Sequence, residues 1–252
     1  MSAVTDSATM TRRRIRHIRR SPALIVTYTA VPVVMLLLFV YVLGGAIGAS
    51  VGGDRGEYAG YLTPGIMATT IAGAAQGTAI SVAVDLTTGI VSRFKTMPIA
   101  RASVLTGHVL GSMAQTSIAI AGATAAALAI GFRPTATVLD WLGVIGVLLM
   151  FMFAITWLSV ALAMVSRSVA TASNLPMPLL ILPLFGSGVV PTASMPTGLR
   201  WFAENQPFTP VIDTLRALLS DHPAGSSLGK AVAWSAVIAL AGYLWARRLY
   251  DR

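Results

Sequence analysis

Six times along this chain an apolar run of roughly 20 residues recurs, and each is long enough to cross a bilayer. A helix of about 20 residues, rising 1.5 Å per residue, spans the roughly 30 Å hydrocarbon core. The runs lie at about 22–43, 64–84, 102–130, 141–165, 169–190 and 228–245. A single soluble core has no use for so many long apolar stretches. With 55% hydrophobic residues and a mean hydropathy of +0.75, the reading is an all-α, polytopic membrane protein. The fifth run contains Pro176, Pro178 and Pro183. Proline removes a backbone donor and clashes with the preceding turn, so this run is expected to be kinked or broken.

Charge then orients the spans. With both termini in the cytoplasm, thirteen basic and three acidic residues fall inside, against five basic and six acidic outside. Positively charged loops are retained on the cytoplasmic side, so six spans satisfy the charge pattern. An odd number would leave one basic terminus outside. The whole of 1–252 then reads as a single transmembrane domain. It comprises a basic N-terminal segment 1–21, a six-helix bundle 22–246 and a cytoplasmic tail 247–252. The segment around Met10–Arg20 reads as an interfacial helix with arginines at anionic lipid head groups. It does not read as a cleaved leader: the first run is longer than the 7–15 residues of a signal core, and five more follow it.

Several chemistries are excluded. The chain has no cysteine, which rules out thiol catalysis and cysteine metal sites. It has no GxxxxGK[ST] phosphate loop, and "GSSLGK" at Gly225–Lys230 is too short to be one. His17, His108 and His222 lie in different segments, read as interfacial, helix-end and loop residues, and no metal site is expected. At depth the polar residues are Gln76, Gln115 and Asn174, whose amides serve either as helix–helix glue or as translocation-path contacts. Ion-coupled transporters keep charged groups at depth, so a secondary transporter is the disfavoured alternative. An integral-membrane lipid-modifying enzyme is another, and its clustered interfacial His, Asp or Glu are not found. GxxxG spacings occur at Gly73–Gly77 and Gly107–Gly111, but also at Gly52–Gly56–Gly60 in what reads as a polar loop, so that signal is weak.

One charged stretch stands apart. Between the second and third runs, "VDLTTGIVSRFKTMPIARASVL" (84–105) reads as a cytoplasmic segment. Thr87 or Thr88 can cap a short helix with Asp85 near its positive end. Ile90, Val91, Phe94 and Met97 share one face, Arg93 and Lys95 the other, and Pro98 ends it. Amphipathicity alone fits a helix on lipid and a helix docked in a protein partner equally well.

This stretch resembles the corresponding loop of ABC-2-type transporter permeases, close to daunorubicin-resistance exporters. The matching positions are Asp85, Gly89, Arg93, Phe94, Lys95, Pro98, Arg101 and Gly107. "ENQPFTPVIDTLRALL" (204–219) is similar to the family's N-P-x-T-P…R-x-L signature, with Gln206 inserted between Asn205 and Pro207. "YLTPGI" (61–66) is a weaker match. Leu86–Thr88 departs from the family, many members of which carry more charge there.

The resemblance implies the membrane subunit of an ATP-driven exporter in a bacterial inner membrane, not itself an enzyme. It pairs with a second copy or a homologous permease and with a cytoplasmic ATPase that holds ATP and magnesium. Nucleic acid is no partner, and this chain carries no cofactor. The substrate is hydrophobic or amphipathic: a drug, lipid or glycolipid. The resemblance makes Asp85, Gly89, Arg93, Phe94, Lys95, Met97, Pro98 and Arg101 the ATPase-coupling helix. Asn205, Pro207, Thr209, Pro210 and Arg216 then belong to short extracellular re-entrant helices forming an outer gate between spans five and six. Read from residues alone, these short helices equally suit an interfacial position held by Leu199, Trp201 and Phe202.

The coupling assignment has a direct check. Phe94→Ala combined with Arg93→Glu is expected to leave the protein inserted while lowering partner binding and transport-coupled ATP hydrolysis. Wild-type levels of both in a reconstituted complex would remove this segment from the coupling path.

Overall fold

The computed structural model describes residues 22–44, 55–88 and 101–250, all-helical with connecting turns and no strand among them. Helix α1, Pro22–Leu37, runs on into a π-helical turn, Leu38–Leu43. Then come α2, Arg55–Thr87; α3, Arg101–Ile130; and α4, Val138–Val165. The fifth apolar run divides into α5, Val169–Asn174, and α6, Met177–Ile181, followed by turns. Two short helices, α7 (Thr197–Asn205) and α8 (Phe208–Leu219), lead to α9, Gly225–Tyr250. Four of these are long and apolar enough to cross a membrane: α2, α3, α4 and α9. The basic N-terminal segment 1–21 and residues 89–100 lie outside the described residues.

Helix α2 is the hub, packing on α1, α3, α4, α5, α6 and α8. Its 33 residues make it roughly 50 Å long, more than the hydrocarbon core requires. It begins nine residues before the apolar run, so Gly60 is helical rather than part of a polar loop. A Cβ there would strike the Phe132 ring. Helical threonines keep their hydroxyls satisfied by bonding back one turn: Thr63 to Ala59 O, Thr69 to Gly65 O, Thr70 to Ile66 O and Thr78 to Ala74 O. That local bond is what lets hydroxyls sit in an apolar medium.

The helix start at α4 is set by a capping box. Thr137 Oγ1 accepts from the Asp140 amide, and Asp140 Oδ2 accepts from the Thr137 amide at 2.9 Å. Two apolar clusters fill the bundle. The larger joins α1, α2, α3, α4 and α8 around Tyr58, Leu62, Phe151, Phe208 and Leu215, with Phe151 and Phe208 edge-to-face at 5.0 Å. The smaller gathers Val82, Val109, Trp157 and Val160 near the far end of α2.

Close backbone approach occurs at two glycines outside the GxxxG spacings. Gly65 of α2 lies against the Gly188 backbone, and Gly242 of α9 against the backbone of Trp157 and Leu158 on α4. Gly77 faces nothing within 4 Å, and Gly73 only a Leu180 methyl. Spacing in the sequence thus did not identify the crossings, because which glycine meets a partner depends on where two helix axes converge.

Gly65→Ala is therefore expected to destabilise the bundle by about 1–3 kcal/mol, since both colliding groups are backbone. Gly77→Ala should be neutral or stabilising by up to about 1 kcal/mol through helix propensity. Thermal unfolding of the two variants in one detergent separates these outcomes.

Candidate functional site

In the broken fifth apolar run, the helix ends at Asn174 and Ile181 and the turns beyond leave carbonyls without the amide four residues ahead that would normally cover them. An unpaired carbonyl in an apolar medium costs several kcal/mol, so another group must reach it. Here long polar side chains from other elements do so. Gln76 of α2 donates to Ser173 O at 2.9 Å. Gln206, between α7 and α8, donates to Leu182 O at 2.7 Å and to Thr209 Oγ1 at 3.2 Å. Arg216 of α8 donates to Ser187 O at 2.6 Å, and Tyr61 of α2 donates to the same oxygen at 3.2 Å.

Arg216 is the centre of a wider network. Its other terminal nitrogen pairs with Asp213 Oδ1 at 2.9 Å, and Nη2 also reaches Tyr61 O at 3.3 Å. The guanidinium lies 3.9 Å from the Tyr61 ring centroid, a cation–π arrangement. Ser187 Oγ closes the loop by donating to Asp213 Oδ1 at 2.6 Å. Three separate chain segments, α2, the turns after α6, and α8, thereby meet on one planar fork. Lysine has no second nitrogen in that geometry.

The residues singled out at the outer end come together here. Pro207 precedes α8, and Thr209 and Pro210 are buried in its first turn, where proline's missing N–H is harmless. Asn205 closes α7 by donating to Trp201 O at 2.8 Å. The two short helices differ sharply in setting. Helix α8 buries Val211, Ile212, Leu215 and Leu219 in the main core, whereas α7 exposes Leu199, Trp201 and Phe202. Only α7 has the character of an interfacial helix.

Gln206, noted in the sequence only as an interruption, is buried and bonds across to the fifth apolar run, facing Gly186, where a Cβ would collide with it. Tyr61 and Asp213 carried sequence signals, a motif position and an i,i+3 pairing with Arg216. Ser187 carried none, because its contribution is a carbonyl as much as a hydroxyl.

The three membrane amides do not converge. Gln76 bridges α2 and α5, Gln115 is half-buried on α3, and Asn174 is exposed beside Ala170, Thr171 and Pro178 in a shallow groove. Among the described residues no three His, Asp or Glu side chains gather as a metal would require.

At the opposite end of α2, Asp85 lies in the helix's last turn, with its Oδ2 2.9 Å from His108 Nε2 on α3. His108 is buried, not a bare helix-end residue. Thr87 and Thr88 bond back to Ala83 O and Val84 O at 2.9 and 2.8 Å. These bonds finish α2. Arg101 opens α3. Gly89, Arg93, Phe94, Lys95, Met97 and Pro98 lie outside the described residues.

The family described as ABC-2 type transporter matches residues 6–219. Among characterised proteins, the daunorubicin resistance ABC transporter permease protein DrrB1 of Streptomyces coeruleorubidus is 27% identical to this chain. The similarity runs over 220 residues, 86% of this chain and 76% of that protein.

Gln206→Leu is expected to cost about 1–3 kcal/mol by stranding the Leu182 carbonyl. Arg216→Met should cost a similar amount, because Ser187 O keeps only the longer Tyr61 bond. Arg200→Met breaks an exposed i,i+4 pair with Glu204 and should cost about 1 kcal/mol or less. Denaturation midpoints of the three variants test the order.

Proposed function

The chain belongs to the ABC-2 type transporter family, and from that premise we propose that it is the membrane subunit of an ATP-driven exporter of hydrophobic or amphipathic molecules. The observation that carries this reading is the continuous family match over 6–219, with a drug-resistance permease as a relative over most of both chains. Drugs, lipids and glycolipids share the chemistry the bundle would handle, and the relative's part in daunorubicin resistance favours a drug.

In this reading the chain spans a bacterial inner membrane six times as a single domain, 1–252, with both termini in the cytoplasm. The first and fifth crossings are the π-turned α1 and the broken α5–α6 run. A basic interfacial segment precedes them. A second copy or a homologous permease completes the translocation unit, surrounded by lipid. A cytoplasmic ATPase partner binds ATP and magnesium and supplies the energy. The coupling element that receives its movement is proposed to comprise Gly89, Arg93, Phe94, Lys95, Met97 and Pro98, flanked by Asp85 in the last turn of α2 and Arg101 at the start of α3.

The outer gate is built around Asn205, Pro207, Thr209, Pro210 and Arg216, with α7 and α8 as the re-entrant pair. Parting α8 from α2 and the fifth span requires the Arg216 fork to release Ser187 O and Tyr61 together. A gate of this kind opens only if an outward-open state offers those groups other partners, since a conformational change needs a difference in interaction energy between states.

Two measurements test the reading. Purified in mild detergent, the chain should bring down an ATP-hydrolysing subunit, and transport in proteoliposomes should stop when that subunit's hydrolysis is disabled. Transport that persists would make the chain a secondary transporter. Because the chain has no cysteine, single cysteines at Thr135 and Ser226 should react with an impermeant maleimide from outside intact cells, and one at Ser168 should not. The reverse pattern would invert the topology.

A further inference from the structure

The cytoplasmic end of the bundle carries a polar contact that no family match assigns. Asp85 sits in the last turn of α2, where the unpaired carbonyls of a helix C-terminus make a carboxylate unfavourable. Its side chain turns to α3 and meets His108 Nε2 at 2.9 Å, with the imidazole 9% and the carboxylate 30% exposed. Directly alongside, Val82, Leu105, Val109 and Trp157 form a compact apolar cluster. One to two turns deeper, the hydroxyls of Thr78 and Ser112 hydrogen-bond, again joining α2 to α3. In sequence these two helices flank segment 89–100, which begins four residues after Asp85 and is followed by α3.

We infer that Asp85 and His108 clamp the inner ends of α2 and α3 into one rigid lever, so that a push on segment 89–100 moves both helices together instead of splaying them. The inference rests on the proposed role of that segment in coupling. The two residues are positioning residues: they touch neither substrate nor ATP, but fix the angle at which the segment leaves one helix and enters the other. The geometry suits this task better than a purely apolar contact would. A hydrogen-bonded pair against an apolar cluster has one low-energy arrangement, whereas side chains packed only by dispersion can slide past one another. Helix α2 touches most of the bundle, so a lever ending in α2 carries movement to the fifth span and α8.

The absence of cysteine allows a clean test. Asp85→Ala, His108→Leu and a double Asp85→Cys, His108→Cys form are compared with and without bridging by a short bismethanethiosulfonate. The permease is used whole, alone in detergent and with its ATPase in proteoliposomes. Each single variant is expected to melt about 5 °C lower and to move about fivefold less substrate per ATP hydrolysed. In the His108→Leu variant, assembly with the ATPase and its hydrolysis rate should be retained. Bridging the cysteines should restore both quantities towards wild type.

Single variants with wild-type melting and wild-type transport per ATP would overturn the clamp. A bridged form that hydrolyses ATP but transports nothing would overturn it as well, because the pair would then have to part during the cycle. If no ATPase associates with the wild-type chain, the proposed coupling role falls. The melting comparison still decides the clamp by itself: lowered and rescued melting supports it, and unchanged melting removes it.

Discussion

The bundle depends on one constraint: a backbone carbonyl released inside an apolar medium must be given a donor. Prolines at 176, 178 and 183 interrupt the fifth apolar run, and in water the carbonyls left open at the resulting helix ends and turns would simply hydrate. In a bilayer they need protein donors. Gln76, Gln206, Arg216 and Tyr61 supply them from α2 and from the α7–α8 region. These bonds tie the broken run to α2 and to the α7–α8 region. The irregular backbone is therefore what knits α2, the turns after α6 and α8 into one body.

That arrangement has a functional side. A continuous helix satisfies its own backbone and can slide or tilt independently, whereas a broken one is bound to its neighbours by directional bonds with discrete alternatives. In the proposed exporter, movement at this end would proceed by exchanging partners at Ser187 O and Leu182 O rather than by gradual deformation. The contact between Gly65 and Gly188 sharpens this, because backbone meets backbone there with no side chain to absorb a shift. At the other end, Asp85 and His108 hold α2 to α3, so the hub helix carries a specific polar attachment near each extremity.

Parts of this were legible in the residues. Apolar run length identified the long helices, and proline content located the broken one, because both follow from local chain physics. The Asp213–Arg216 pairing and the amides as helix glue could be anticipated from i,i+3 spacing and from the cost of burying a polar group. The contributions of Gln206, Ser187 and His108 could not. Gln206 looked like an interruption of a motif, since nothing local announces that Leu182 O lies within its reach. Of the GxxxG pairs, Gly73 and Gly77 meet no backbone, while close crossings fall at Gly65 and Gly242. Helix α2 also starts at Arg55, earlier than hydropathy indicated, since polar residues continue a helix wherever their backbone remains paired.

What the sequence by itself determined is the class of molecule: a helical membrane protein with a basic side, one interrupted span and a charged segment between its second and third runs. These follow from hydrocarbon thickness, proline chemistry and the distribution of arginine, all properties of short stretches of chain. Only the tertiary structure decided which donors reach the freed carbonyls, that α8 is buried while α7 is exposed, and that Asp85 turns to His108. Each joins residues distant in the chain, such as 61 with 187 and 182 with 206. Such pairings are set by how helices cross, and no local pattern encodes that.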